Sequence, residues 1–547
     1  MAASPNIFSR ARRRIASWQS RNEIARLARQ VADHAQPDPG VLPVVIFNAS
    51  TRLADLSQNA AFALLVGWSL RLSGVPVIHF VCQKGMSCCV LGINRDDLTR
   101  RMPCASCIAQ SERLFAHQDV YPLTYQEGAE LSRRLQGLNL EQLGAFEHPI
   151  RLPASQNETS IPLGPLVLAS ARWTLRRHTL SDDEPTRYLL RQYILSAYHV
   201  AQEFAGLLEH AQPQAVILFN GLLFPEAAAT WVARQMGVRS VAHEVGFQRF
   251  STFFTEGDPT AYPIDIPEDL VLSAEQNTRL DRYLEQRFQG KFSMAGIQFW
   301  PEMRGLDKTF LKKASGFRQI VPVFTNVIYD TSQAHANLVF PHMFAWLETA
   351  LEAIRSHPES LFVIRAHPDE MRPGTAKQSR ESVQDWVKQS GAAELANVVF
   401  IESLEYISSY ELIQRAKFVM VYSSSIGLEA SLMGKPVLCG GKARYTQYPI
   451  VFFPSSPQAY RRAVDEFLNA EQIRVPAEFQ ANARKFLYYQ LYRASLPLDD
   501  YMQPGQRMGY VQLLPVSWEK LLPEGSPTLR VILDGILHGS PFLLPDN

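Results

Sequence analysis

Two apolar stretches in the C-terminal half of the chain, residues 361–365 and 418–422, each end in polar side chains. Polar groups just beyond apolar strands are where open parallel sheets bind their ligands. Both groups are therefore candidates for one binding site. Its predicted members are Arg365, His367, Ser423, Ser424, Ser425 and Glu429.

These residue types suit a nucleotide. Pro368 keeps His367 out of a helix, so its imidazole is free to donate to a departing phosphate. A serine run that opens a helix presents hydroxyl and N–H donors to an anion. Glu429, in that helix, is predicted to accept from ribose hydroxyls. Alternatively, the His-Pro pair is a structural loop and the serines are helix caps, but their coincidence at one sheet edge favours binding.

The elements that must position these residues follow a repeated pattern. Between residues 319 and 470, short apolar stretches alternate with helical ones, as in a parallel sheet with helices on both faces. Its first strand ends near Asn326 and Asp330, which we expect to border the site. We predict a nucleotide-binding Rossmann-like domain over residues 319–470.

A similar alternation occupies residues 41–255, predicted to be an N-terminal Rossmann-like domain that binds the acceptor. Two of its strands end in polar residues: Asn220, with Glu226 just beyond it, and His243 with Glu244. Transfer to a hydroxyl group needs a general base, for which Glu244 is the candidate and His243 the second choice. Alternatively, Glu244 caps a neighbouring helix.

The remaining segments connect or flank these domains. Residues 1–40 are predicted to form a basic helix and a linker, 256–318 an interdomain connection, and 471–547 a tail that packs back across both domains. The basic helix could contact anionic lipid, giving peripheral membrane contact, or simply pack on its own domain with a solvated basic face. We expect a cytoplasmic protein.

A cysteine-rich insert interrupts the first domain at residues 82–107. Cys82, Cys88, Cys104 and Cys107 are predicted to hold structural zinc or an iron–sulfur cluster. Only Cys104 and Cys107 have CxxC spacing, whereas a zinc ribbon has two such pairs. Free buried cysteines, which behave as small apolar side chains, are the alternative.

Composition and missing motifs exclude several classes. Among 547 residues, 46% are hydrophobic and 20% charged, which is ordinary globular composition, and the net charge of +1 gives no argument for nucleic acid. There is no GxxxxGK[ST] phosphate loop, HExxH, GxSxG or GxGxxG at a first strand. No apolar run is long enough for a transmembrane helix.

The segments R-x-HP-x-E, from Arg365 to Glu370, and S-S-S-x-G-x-E-A-x-x-x-G-K-P-V, from Ser423 to Val437, resemble bacterial capsule polysaccharide biosynthesis glycosyltransferases. That family includes Kdo transferases; a looser similarity extends to sialyltransferases. The resemblance implies a GT-B fold, with two Rossmann-like domains facing across a cleft. It also implies a cytidine nucleotide donor and no metal requirement. The cysteine-rich insert departs from the Kdo transferase pattern.

The prediction is therefore a GT-B glycosyltransferase that moves a sugar from a nucleotide-sugar, such as CMP-Kdo or a sialic-acid-like donor, to a growing surface or capsular polysaccharide, with inversion of configuration. Two alternatives stay open. One is a nucleotide-sugar epimerase or hydrolase on the same fold. The other is a non-catalytic polysaccharide assembly or export protein. The donor, the acceptor and the oligomeric state are not set by the sequence.

Overall fold

The computed structural model describes residues 7–49, 55–153, 158–290, 293–294, 297–298, 303–372, 378–506 and 509–546. Side chains are described from residue 18 onward, except those of residues 293–294 and 297–298. Two largely parallel β-sheets, one in each half of the chain, organise this part of the protein. Central strands such as Val44–Phe47 and Ser360–Arg365 are buried on both faces, as expected where helices cover a parallel sheet from both sides.

The first sheet has seven strands, in the spatial order Leu496–Pro497, Ser251–Thr255, Ser240–Val245, Ala215–Phe219, Val44–Phe47, Val77–Cys82 and Asp119–Leu123. The last five are parallel to one another, and the first two are antiparallel additions at one edge. Along the chain, these five strands have the Rossmann order 3-2-1-4-5. The point where this order reverses lies between Val44–Phe47 and Ala215–Phe219.

The second sheet has five parallel strands, in the order Val398–Ile401, Ser360–Arg365, Gln319–Phe324, Val419–Val421 and Val437–Cys439. This is again the order 3-2-1-4-5. The reversal lies between Gln319–Phe324 and Val419–Val421, so a ligand crevice is expected beyond the ends of these two strands. The two sheets confirm the predicted α/β, GT-B-like fold class.

Helices cover the sheets. Those of the first half are Ile7–His34, Gln58–Leu72, Cys104–Leu114, Ala129–Leu135, Leu140–Gly144, Leu163–Leu175, Glu184–Ala211 and Glu226–Gln235. Those that follow are Ala274–Phe288, Lys308–Ala314, Gln333–Ala336, Met343–Ser356, Val383–Gln389, Ser409–Arg415, Ile426–Leu432, Pro457–Asn469, Ala477–Tyr488 and Pro527–His538. Three two-stranded hairpins complete the structure: His148–Ile150 with Thr159–Ile161, Ser293–Met294 with Ile297–Gln298, and Met502–Pro504 with Val511–Leu513.

The C-terminal segment contacts both halves. Leu496 and Pro497 extend the first sheet, and helix Pro527–His538 joins the core on one face of that sheet. Helix Ala477–Tyr488 instead packs into the core beside the second sheet. This segment therefore ties the two halves together, while the predicted domain boundaries stay predictions.

The N-terminal helix packs on the first half through its C-terminal turns. Ile24, Leu27, Ala28 and Val31 are buried in the core, whereas Trp18 is 60% exposed. The basic side chains before residue 18, on which the prediction of membrane contact depends, lie outside the described part. No helix in the described part of the chain is long and apolar enough to cross a bilayer.

A second contact joins the halves beside the cleft. The Glu381 carboxylate accepts hydrogen bonds from the backbone N–H groups of His178 and Thr179, at 2.7 and 2.9 Å. The Arg380 N–H donates to the Arg176 carbonyl at 2.8 Å. The loop after the second strand of the C-terminal sheet is thereby fixed against the end of helix Leu163–Leu175.

Candidate active site

The strand ends of the second sheet meet as predicted from the sequence. Arg365, the last residue of its strand, is 2% exposed and donates from Nη2 to the Glu405 carbonyl at 2.9 Å. Burial lowers the pKa of Arg365 to about 10, still well above neutral pH. Thr325, at the end of the neighbouring strand, donates to the Arg365 carbonyl at 2.9 Å. Arg365 therefore places a buried positive charge at the base of the crevice.

His367 lies two residues beyond that strand end. The Asp369 N–H donates to its Nδ1 at 3.1 Å, so Nδ1 is an acceptor and a neutral ring carries its proton on Nε2. Glu370, the acidic residue of the same motif, is 1% exposed and accepts from the Val383 N–H at 2.8 Å. Its burial raises its pKa to about 8. Glu370 therefore supports the loop, and His367 faces the crevice.

The serine turn forms the opposite wall. The Ser423 N–H donates to Asn326 Oδ1 at 3.1 Å, which joins two predicted site residues across the point where strand order reverses. Helix Ile426–Leu432 begins after Ser425, but the Ser425 side chain makes no capping bond. Within the described part of the chain, Ser423 Oγ is enclosed without a hydrogen-bond partner. The alternative that these serines are helix caps is therefore not supported.

Glu429 is buried and has two protein partners. Arg287 donates to one carboxylate oxygen at 2.5 Å, and the Tyr410 hydroxyl donates to the other at 2.6 Å. Arg287 comes from helix Ala274–Phe288, so this ion pair joins the connecting segment to the second half. Each carboxylate oxygen of Glu429 therefore already accepts a hydrogen bond from the protein, and its role in binding ribose stays a prediction.

Two adjoining cavities open around these residues. The first, about 90 Å³, is lined among others by Arg365, Ser424, Ser425 and Glu429. The second, about 240 Å³, reaches from Asn326, Asp330 and Ser423 to Thr260 of the connecting segment. His367, Ser424 and Ser425 line both cavities. The predicted donor-site residues therefore form one continuous site at the cleft.

Two cationic residues of the second cavity have no counterpart in the sequence prediction. Lys442 and Arg444 follow the last strand of the second sheet. The Arg444 guanidinium lies over the rings of Phe247 and Tyr262, 4.4 and 4.8 Å from their centroids. Its Nη1 is enclosed without a hydrogen-bond partner in the described part of the chain. Lys442 and Arg444 lie just beyond a strand end, and this position is the sequence signal from which they could have been predicted as site residues.

On the first half, Glu244 lies one residue before the end of strand Ser240–Val245, outside the lining of both cavities, and is held by two donors. Asn220 Nδ2 donates to Oε2 at 2.7 Å, and the Val245 N–H donates to Oε1 at 2.8 Å. Burial and the nearby charges of Glu244 and Asp330 raise the pKa of Tyr262, while Arg444 lowers it. Tyr262 therefore lies between Glu244 of the first half and the cationic residues of the second.

His243 and Glu226 occupy different surroundings. Successive side chains of a strand point to opposite faces, and His243 points into the core beside Phe62, Phe219 and Phe254. Burial lowers its pKa to about 3. As a neutral ring enclosed in the core, it cannot reach an acceptor hydroxyl, which is a correction to its choice as the second candidate base. Glu226 is buried, 1% exposed, in the first turn of its helix.

The predicted metal ligands need one correction. Cys82, Cys104 and Cys107 line a common cavity, but the fourth cysteine of that cavity is Cys89. The neighbouring Cys88 is 3% exposed, and its N–H donates to Ser196 Oγ. Adjacent residues in this loop point in different directions, which sequence spacing does not reveal. Among the described residues, no three His, Cys, Asp or Glu side chains are grouped closely enough to bind a single metal ion.

Comparison with known proteins adds the family. Residues 298–451 match the family described as capsule polysaccharide biosynthesis protein. This segment covers the second sheet and every predicted site residue of the C-terminal half. No curated protein sequence matches the chain.

Among solved structures, two are Kdo transferases of Thermosulfurimonas dismutans KpsC. The β-Kdo 2,4 transferase is 16% identical, with 52% of this chain and 80% of that chain covered and a TM-score of 0.33. The β-Kdo 2,7 transferase is 17% identical, with 58% of this chain and 86% of that chain covered and a TM-score of 0.33. A UDP-GlcNAc 2-epimerase from Neisseria meningitidis is 15% identical, with 54% and 80% covered and a TM-score of 0.25.

Structural likenesses this weak carry no argument about chemistry, so the family rests on the matched segment and its motifs. The resemblance predicted from the His-Pro and serine motifs is confirmed for residues 298–451, the segment that matches the capsule polysaccharide biosynthesis protein family.

Proposed function

We propose that this protein is a glycosyltransferase of capsular polysaccharide assembly that uses a nucleotide-sugar donor. One observation carries the proposal: His367, Ser424 and Ser425 line two adjoining cavities at the cleft, within the segment that matches the capsule biosynthesis family. The site is where a doubly wound sheet binds ligands, between its first and fourth strands. Two connected cavities suit a donor with two parts, a nucleotide and a sugar.

The nucleotide occupies the first cavity. Its phosphate lies near His367, whose Nε2–H is oriented as a donor by the Asp369 N–H at Nδ1. Ser424 and Ser425 supply further donors on the opposite wall. Hydrogen bonds aimed at the phosphate stabilise the charge that develops as the sugar leaves, which is the main electrostatic contribution to transfer. The cavity is small, and we propose a cytidine nucleotide, as in CMP-sugars.

The sugar occupies the second cavity, and the acceptor approaches it from the side of the first half on which Glu244 lies. Lys442 and Arg444 line this cavity, so two positive charges lie in the cavity that His367 also lines. These cations support transfer that requires no metal ion, since they offset the charge of the departing phosphate. Glu244, placed by Asn220 and by the Val245 N–H, takes the proton from the acceptor hydroxyl. A single displacement with this base on the opposite side of the sugar inverts its configuration.

The donor nucleotide is identified by thermal shift with CMP, CDP, UDP and GDP. A ligand that binds the native state raises the melting temperature by mass action, and we expect CMP to give the largest rise. The His367→Ala variant should lose most of this rise. The matched control is His357→Ala, which removes a half-buried histidine that lines neither cavity and is paired with Glu359 and Asp465. No shift with any of the four nucleotides would contradict a nucleotide donor.

Turnover is measured as CMP release from CMP-linked sugars, with and without a capsular oligosaccharide acceptor. We expect His367→Ala and Glu244→Gln each to lower acceptor-dependent turnover by about 10²–10⁴-fold, the usual contribution of a group that transfers or stabilises a proton or charge. Glu352→Gln is the matched control, because Glu352 pairs with Arg461 on an exposed helix surface. Wild-type rates in either site variant refute its assigned role, and rapid conversion without acceptor favours an epimerase or hydrolase.

A further inference from the structure

Four cysteine side chains from three parts of the insert converge on one cavity outside the cleft. Cys82 ends a strand of the first sheet, Cys89 lies in the following loop, and Cys104 and Cys107 lie in the first turn of helix Cys104–Leu114. The rest of the lining is mostly apolar or thioether, including Ala49, Met86, Leu91, Met102 and Ile108, and Lys84 also contributes to it. The transfer reaction proposed above uses none of them.

The backbone around these sulfurs is arranged as donors. The N–H groups of Lys84, Gly85 and Met86 point at the Cys82 sulfur, so the loop folds around it. The Gly92 N–H donates to Cys89 Sγ at 3.1 Å. A neutral thiol is a weak acceptor, whereas a thiolate bound to metal accepts such bonds well. Several amides directed at two sulfurs are more than packing of small apolar cysteines requires.

The other two sulfurs benefit from their helix. Cys104 and Cys107 occupy the N-terminal turn of an 11-residue helix that begins after Pro103. Free N–H groups and the helix dipole at this end favour the negative charge that a metal-bound thiolate carries. Burial raises the pKa of the Cys82 thiol, and it raises that of Cys89 to about 12, so the convergence of four sulfurs on one cavity, and not their ionisation, points to a ligand.

The space between the sulfurs distinguishes a cluster from a single ion. A tetrahedral zinc ion draws its four sulfurs into contact, at about 2.3 Å from the metal. Here, among the described residues, no three such side chains are close enough for one ion. They line a common cavity of about 30 Å³, whereas a single water needs only roughly 10–15 Å³. The space between the sulfurs is therefore larger than one ion or one water fills.

We propose that Cys82, Cys89, Cys104 and Cys107 bind an iron–sulfur cluster, with Cys88 outside the ligand set. Four cysteine thiolates are the usual ligands of such clusters, and an apolar enclosure keeps water from the inorganic core. The cluster joins a strand end, a loop and a helix start. The intervening loop carries Asp96, which forms an ion pair with Arg380 of the second half. The cluster therefore holds the insert in the position from which it meets the donor-binding half.

The test is metal and sulfide analysis of the full-length protein purified without oxygen. We expect iron and acid-labile sulfide in equal amounts, about four of each per chain for a [4Fe–4S] cluster, together with visible charge-transfer absorption. About two of each per chain, as in a [2Fe–2S] cluster, would still support the proposal. Stoichiometric zinc without iron would overturn it, and so would protein that binds no metal after reconstitution with iron and sulfide.

Variants identify the ligands. Cys89→Ser should lower the iron content of the protein at least several-fold, and the adjacent Cys88→Ser should leave it unchanged. Cys439→Ser, in the core of the second sheet, is a further control. The opposite pattern, with iron lost in Cys88→Ser and retained in Cys89→Ser, would overturn the ligand assignment. If Cys89→Ser does not fold, Cys88→Ser and the wild-type analysis still decide the question.

Discussion

The buried ion pair between Arg287 and Glu429 makes a prediction that separates support of the site from ligand binding. Arg287 is 8% exposed and Glu429 is 5% exposed. Arg287 donates to Glu429 at 2.5 Å and to the Tyr283 hydroxyl at 2.9 Å. In Arg287→Met, the Glu429 carboxylate keeps only the Tyr410 hydroxyl among these donors. It then remains buried at the wall of the first cavity without its charge partner.

The expected cost is large because a buried charge loses its partner. Removing one side of a buried pair lowers the free energy of unfolding by about 3–5 kcal/mol. The control is Arg461→Met, whose partner is Glu352; these side chains are 53% and 59% exposed. Exposed pairs contribute only about 0–1 kcal/mol. The two Arg→Met substitutions thus remove the same group from a buried and an exposed pair.

Urea unfolding followed by tryptophan fluorescence measures both costs. The double variant Arg287→Met/Glu429→Gln should be more stable than Arg287→Met alone by about 1–3 kcal/mol, since the unpaired charge is gone. If Arg287→Met costs no more than Arg461→Met, or if the double variant is the less stable one, the pair does not hold the connecting helix on the donor half. CMP binding by the double variant would further show that the Glu429 charge is not needed for ribose.

Three further predictions concern protonation and the contact between the halves. His243 has a pKa of about 3 in the folded protein, so below about pH 6.5 the unfolded state binds more protons than the folded state does. This residue should therefore lower the free energy of unfolding of the wild-type protein by about 2 kcal/mol between pH 6.5 and 5. The His243→Leu variant should not show this decrease. Glu370 has a pKa of about 8 in the folded protein, so between about pH 4.5 and 8 the folded state binds more protons than the unfolded state does. The contribution of Glu370 to the free energy of unfolding therefore decreases as the pH rises through that range. Urea titrations at several pH values should show that Glu370→Gln removes this decrease. Glu381→Ala removes the acceptor of the His178 and Thr179 amides, and hydrogen exchange at these two amides should become faster; unchanged exchange would mean that the contact does not hold in solution.

The donor side of the site was predictable because it is local in sequence. A strand end, a His-Pro pair and a serine turn are contiguous signals, and the parallel order of the strands brings their ends to one edge. His367, Ser424 and Ser425 accordingly line the same cavities. The acceptor side was predictable only in part, since strand alternation decides which of two adjacent residues faces the core. Glu244 lies beside Tyr262, while His243 is enclosed by aromatic rings.

The sequence alone is enough to predict two α/β halves and the position of the proposed nucleotide site, because apolar periodicity and strand ends are properties of neighbouring residues. Which distant groups meet depends instead on how the chain folds. Arg287 pairs with Glu429 across 142 residues, and Arg444 stacks on Phe247 and Tyr262. The tertiary structure also selected Cys89 over Cys88, since the direction of a side chain in an irregular loop depends on the packing around it. Contacts between remote segments follow from how the helices and sheets pack, and no local pattern encodes them.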